Sequence, residues 1–196
     1  MTSVGRVATI AIWLFTATTA HAGTVDGAAT VGGRAAAGAV VALEASKPAR
    51  PPAAPAHVVM DQRNLAFLPR VLPVVRGTVV EFTNSDDVAH NVFSPSGIAG
   101  KFNLGTYGPG AARTITLDQP GDVLVLCNIH MEMEAHILVL DGPYFATTGD
   151  DGHYRIADVP AGAYTVKLWQ GRWLPVTHAI DLPDGGALHV DLPATK

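Results

Sequence analysis

The chain is short of cysteine: Cys127 is the only one in 196 residues. A single cysteine cannot close an internal disulfide, so its thiol must be buried, reactive or bound to a metal. Charge is also sparse, with 15% of residues charged and a formal net charge of −4. No block of lysine or arginine occurs, which argues against nucleic acid or anionic membrane partners. Long helix-forming stretches are missing, while Gly (20) and Pro (14) are plentiful. That balance predicts an all-β protein. The most apolar run, Val7 to Ala20, is too short to cross a bilayer comfortably.

That apolar run follows Arg6 and precedes Ala20-His21-Ala22, a small-x-small cleavage pattern. Residues 1–22 therefore read as a cleavable signal peptide, and the expected location is the periplasm. The competing reading is an uncleaved N-terminal anchor. No cysteine stands at the cleavage point, which disfavours a lipoprotein. Without residues 1–22 the chain keeps 12 Lys and Arg against 17 Asp and Glu, a formal charge of −5. In an oxidising compartment, a metal-bound thiolate explains the persistence of one unpaired cysteine.

The chemistry concentrates in Cys127-Asn128-Ile129-His130-Met131-Glu132-Met133. A thiolate, an imidazole and a thioether in one loop suit copper better than other common ions. Blue-copper centres use two His and one Cys in a plane with a weak axial Met. The loop supplies three of those four donors, and His90 in Asp86-Asp87-Val88-Ala89-His90-Asn91 supplies the fourth. Met131 competes with Met133 for the axial place, and Glu132 or Glu134 offers an oxygen if the loop rearranges. A turn closing after His130 would fold Met133 back and leave Met131 pointing to solvent.

Around this loop the chain reads as strands. Thr24 to Val31 and Gly38 to Glu44 flank the turn Gly32-Gly33-Arg34. Ser46 to Ala56, with four prolines, is an extended connector. His57 to Gln62, Phe67 to Val75, Thr78 to Thr83, Arg113 to Leu117, Val123 to Cys127 and His136 to Leu140 have strand character. Phe93 to Gly110 reads as irregular. Beyond Asp141-Gly142-Pro143, Tyr164, Val166 and Leu168 alternate, as do Leu188, Val190 and Leu192, each pattern predicting one half-buried strand.

His90 far upstream, followed by Cys127-x-x-His130-x-x-Met133, resembles the cupredoxins: plastocyanin, amicyanin and pseudoazurin. The spacing is similar to the short amicyanin loop, with Met131 where the family usually has proline. The wider sequence also resembles bacterial plastocyanin-like proteins called methylamine utilization proteins. The resemblance implies a Greek-key β-sandwich holding one type 1 copper ion through His90, Cys127, His130 and Met133. It implies that Asn84 and Asn91 hold the ligand loops, and that His130 passes electrons through an apolar patch with Met131, Tyr107, Pro109 and Ile98. The expected function is periplasmic transfer of single electrons to exported partners, such as a c-type cytochrome or a dehydrogenase. The alternative is copper storage or delivery, which ready exchange with a chelator would reveal.

The segment Thr147-x-x-Asp150-Asp151-Gly152-His153-Tyr154, followed by Val159-Pro160-x-Gly162-x-Tyr164-Thr165-Val166, resembles the carboxypeptidase regulatory-like, or transthyretin-like, sandwich. Gly23 to Leu43 resembles the start of the same family. The expected organisation is therefore signal 1–22, N-terminal strands 23–46, connector 47–56, cupredoxin 57–141 and the rest of the outer sandwich 142–196. The cupredoxin would sit inserted in the outer sandwich. Neither outer segment alone has enough strands to bury a core. An enzymatic Cys127–His130 pair lacks an orienting acid in sequence, and a zinc site would lack further thiolates. The chain is thus expected not to be an enzyme. His136 and His57, His153, His178 and His189 read as strand or loop positions outside the centre.

Overall fold

In a computed structural model, the described residues are 21–47, 57–95 and 101–195. Most of the expected signal peptide, the connector from 48 to 56, and Ile98 lie outside them. The described chain is all strand, turn and loop. In order, the strands are β1 (Gly23–Val31), β2 (Arg34–Ala35), β3 (Val40–Ala45), β4 (Val58–Arg63), β5 (Ala66–Leu68) and β6 (Val71–Val75). Next come β7 (Thr78–Asn84), β8 (His90–Ser94), β9 (Phe102–Tyr107), β10 (Ala112–Leu117), β11 (Gly121–Leu126) and β12 (Glu134–Leu140). The last are β13 (Phe145–Thr147), β14 (His153–Val159), β15 (Gly162–Trp169), β16 (Trp173–Leu182), β17 (Ala187–His189) and β18 (Leu192–Ala194).

Period-two alternation sorts these strands into sheets. In β7, Thr78, Val80, Phe82 and Asn84 are buried and the residues between them are not. Sheets β10-β7-β4-β5 and β6-β12-β11-β8-β9 face each other across Met60, Phe67, Phe82, Val92, Val123 and Ile137. A second pair of sheets forms from the chain ends. β1 pairs with β14, β17, β18 and β2, and the other sheet runs β13-β3-β15-β16. Their shared core holds Val25, Val41, Leu43, Ile156, Val166 and Leu168. Strands before residue 46 thus pair directly with strands after residue 144.

Two strands are buried on both faces and join the two cores. β12 turns Ala135, Ile137 and Val139 into one core, and its opposite face carries Leu138 and Leu140. β3 turns Val41 and Leu43 into the other, and its opposite face carries Val40 and Ala42. These outward residues meet around Trp169, which is 2% exposed, so the four sheets stack in layers. Trp169 donates its indole N–H to Asp122 at 3.1 Å, and its ring meets the His136 ring at 5.0 Å.

Three expected elements differ. Phe102–Tyr107 is a strand, not irregular chain, because His90 to Ser94 offers it a ladder and Gly105 (φ +78) absorbs the local bend. Phe67 to Val75 is two strands in opposite sheets, divided at Pro69-Arg70, where proline has no N–H for the ladder. Leu188 to Leu192 is interrupted between β17 and β18. There Asp191 accepts the Ala28 N–H at 2.9 Å, and the Val190 carbonyl fills the space a side chain would need at Gly27.

Candidate metal centre

The loop after β11 closes on itself. Cys127 donates its N–H to the Met133 carbonyl at 3.3 Å, and Met133 donates to the His130 carbonyl at 3.0 Å. The second bond makes a turn over residues 130–133. Its effect on the two methionines is opposite: Met133 is 1% exposed and Met131 87%. Cys127, at 4% exposure, points into the β-sandwich core as the end of the alternation Val123, Val125, Cys127.

His90 opens β8, fully buried, on the strand whose Phe93 pairs with Leu126 of β11. This pairing sets His90 beside the Cys127 loop. The Nδ1 atoms of His90 and His130 lie 3.0 Å apart, and one donor atom from each of His90, Cys127 and His130 falls within 4.8 Å of the others. Two imidazole nitrogens that close can both reach one ion, since metal–imidazole bonds are about 2 Å long. The backbone N–H of Asn91 points to Cys127 Sγ at 3.5 Å, the hydrogen bond a thiolate needs when it leaves water. Two imidazoles, one thiol and a buried thioether on the same loop fit copper chemically. Met133 shares the buried cluster with Cys127.

The loop before His90 is held by Asn84. Its side-chain amide donates to the carbonyls of Val88 (2.9 Å) and Tyr107 (3.3 Å), and its oxygen accepts the Asp86 N–H (3.0 Å). Asp86 is a residue that sequence reasoning passed over. Its carboxylate lies 2.8 Å from His90 Nε2 and also accepts the N–H groups of Asn64 (2.6 Å) and Leu65 (3.0 Å). Burial pushes the Asp86 carboxyl up, but those hydrogen bonds and His90 outweigh it and hold it below the ordinary value. The signal was present as an acid four residues before a candidate ligand, but acids are common in loops.

Tyr107 does not belong to a surface patch around His130. It is 4% exposed, donates to the Phe82 carbonyl at 3.1 Å, and burial pushes its phenol up to about 12. The exposed apolar groups beside His130 are Ile129 and Met131. His136 stands apart from the centre, its Nδ1 2.8 Å from Asp122. His57, His153, His178 and His189 are exposed. A surface cavity between Glu44, Lys167, Trp173 and Asp141 lies between the two sandwiches, and none of the centre's residues line it.

Residues 54–140 match the family model of copper binding proteins, plastocyanin/azurin family. No curated protein matches the chain. Among solved structures, a proline-to-alanine mutant of amicyanin in its oxidized state is 22% identical, covering 43% of this chain and 83% of that one with a TM-score of 0.42. A reduced tryptophan-to-tyrosine mutant of amicyanin is 20% identical, covering 51% and 98%, with a TM-score of 0.42. The copper-containing nitrite reductase of Thermus scotoductus is 28% identical, covering 42% of this chain, with a TM-score of 0.41; this chain spans 22% of that enzyme's length. The β-sandwich with its His-Cys-His group, buried at His90 and Cys127 and half-buried at His130, is thus a copper-binding domain. Residues 54–140, a little under half of the chain, match that family, and the fold they adopt is the all-β sandwich of a cupredoxin.

Proposed function

We propose that this chain is an exported type 1 copper protein that carries single electrons between redox proteins of the periplasm. The observation that carries this reading is the gathering of one donor atom each from His90, Cys127 and His130 within 4.8 Å, with the two Nδ1 atoms 3.0 Å apart and the Asn91 N–H on the sulfur. His90, Cys127 and His130 hold the copper, and the thioether of Met133 completes the set. Copper bound there supplies reversible one-electron chemistry. Asn84 fixes the loop that delivers His90, and Asn91 stabilises the thiolate.

The protein's own residues favour transfer over catalysis. His90, Cys127 and Met133 are each at most 4% exposed, so a substrate has no approach except past His130. His130 is half-buried and flanked by the exposed side chains of Ile129 and Met131. Such a small apolar edge suits brief, weak docking of a partner such as a c-type cytochrome or a dehydrogenase. The organisation expected from sequence fits this role: residues 57–141 carry the centre, and 23–46 with 142–196 form a scaffold around it. Among the described residues, no helix is long and apolar enough to cross a membrane.

The test is a visible spectrum. Copper(II) added to the metal-free protein should give an intense thiolate-to-copper charge-transfer band, and Cys127→Ser should abolish it. A colourless complex with a tetragonal, sulfur-free copper signal would sink the proposal.

A further inference from the structure

We propose that Asp86 is a positioning residue of the copper centre: it accepts a hydrogen bond from the Nε2–H of His90, leaves Nδ1 bare to face Cys127 and His130, and is itself clamped by the Asn64–Leu65 turn. The assignment rests on the reading of His90 as a copper ligand.

A neutral imidazole has one N–H, and the partner of one nitrogen decides which nitrogen stays free. Asp86 Oδ2 lies 2.8 Å from His90 Nε2. An ionised carboxylate only accepts, so Nε2 must carry the proton. His90 is fully buried and Asp86 is 11% exposed, so water does not readily replace this bond. The bare Nδ1 then faces His130 Nδ1 at 3.0 Å. Two bare nitrogens would repel at that distance. With His90 neutral, this contact puts a proton on His130 Nδ1, and a metal held by both nitrogens would displace it.

Asp86 is held from the other side at a cost in backbone strain. Asn64 and Leu65 are the two residues between β4 and β5, with φ of 54° and 56°. This is the left-handed pair of a tight hairpin turn, whose second position is usually glycine. Leucine there is strained. The conformation aims both N–H groups at one carboxylate, at 2.6 Å and 3.0 Å. Asp86 thus receives three hydrogen bonds and has little freedom to leave His90. A carboxylate on the far nitrogen makes an imidazole a stronger donor, which favours the oxidised metal.

Nitrogen-15 NMR of the metal-free protein reads the tautomer directly. The wild type should show His90 protonated on Nε2 and His130 on Nδ1. Asp86→Ala should scramble the His90 tautomer, weaken copper(II) affinity by roughly 10–100-fold and raise the reduction potential. Asp86→Asn, which keeps an acceptor but not the charge, should retain the tautomer and still raise the potential. If Asp86→Ala does not fold, the wild-type tautomers and Asp86→Asn decide. A wild type with His90 protonated on Nδ1 overturns the assignment. So does a blue wild type whose variants keep its potential. A wild type that takes up no copper overturns the copper reading itself, whatever its tautomers.

Discussion

Two methionines two residues apart separate packing from exposure. The turn closed by Met133 N–H on the His130 carbonyl buries Met133 to 1% and leaves Met131 at 87%. Met133→Leu should keep copper and raise the reduction potential, because a thioether donor to copper(II) is lost. Met131→Leu should leave spectrum and potential unchanged and alter only the rate with a redox partner. Voltammetry of both variants checks this, and a potential shift confined to Met131→Leu would reverse the assignment. The candidate donors stood out in sequence, since Cys127, His130 and Met133 share one loop and few residue types bind soft metals. Asp86 was not legible: its role depends on the Asn64–Leu65 turn, 21 and 22 residues away. Tyr107 was misplaced because an aromatic beside glycine and proline reads as surface, whereas its partner in the ladder is the buried His90.

At the scale of single elements, β17 joins its ladder to β1 with an exposed ion-pair cluster. Its His189 lies 2.6 Å from Asp26 on β1 and 3.2 Å from Asp191. The hydrogen bond to Asp26, then the charge of Asp191, raise the His189 pKa above 6.5. A raised histidine stabilises the folded state fully below the unfolded value and loses that contribution as pH rises through the folded value. Anchoring of β17 to β1 should therefore weaken as pH climbs above about 6.5. Hydrogen exchange at the Val190 N–H, which bonds the Asp26 carbonyl at 2.7 Å, should report it after correction for intrinsic exchange. His189→Gln should remove the pH dependence; an unchanged profile would show that the backbone ladder alone holds the strand. Sequence alternation predicted one strand here. The break at Val190 and Asp191 comes from contacts with β1 across some 160 residues, which local patterning does not carry.

For the molecule as a whole, the seam around Trp169 decides whether the two sandwiches behave as one. The pairing of β1 and β3 with strands after residue 144 was anticipated from two segments sharing one family likeness. The layered stacking was not, because the double-sided burial of β3 and β12 shows in sequence only as runs of small and aliphatic residues. Trp169→Ala should cost about 3–5 kcal/mol. In the wild type, loss of the copper band and loss of far-ultraviolet circular dichroism should coincide on heating. In the variant they should separate, with the outer sandwich melting first; coincident melting would show the seam to be dispensable. The way β3 meets β13 also has a consequence in time. Ala42 lies opposite Phe145, so about a hundred residues are made between two neighbours in one sheet. At roughly 5–20 residues per second, a ribosome spends about 5–20 s on that stretch. The strands and loops of the candidate centre are all synthesised within it, while β3 still lacks β13 and β15, and β1 is paired only with β2. The casing is therefore begun before the centre and completed after it, and a chain cut short after residue 140 would carry the candidate centre beside β1, β2 and β3, without β13 to β18.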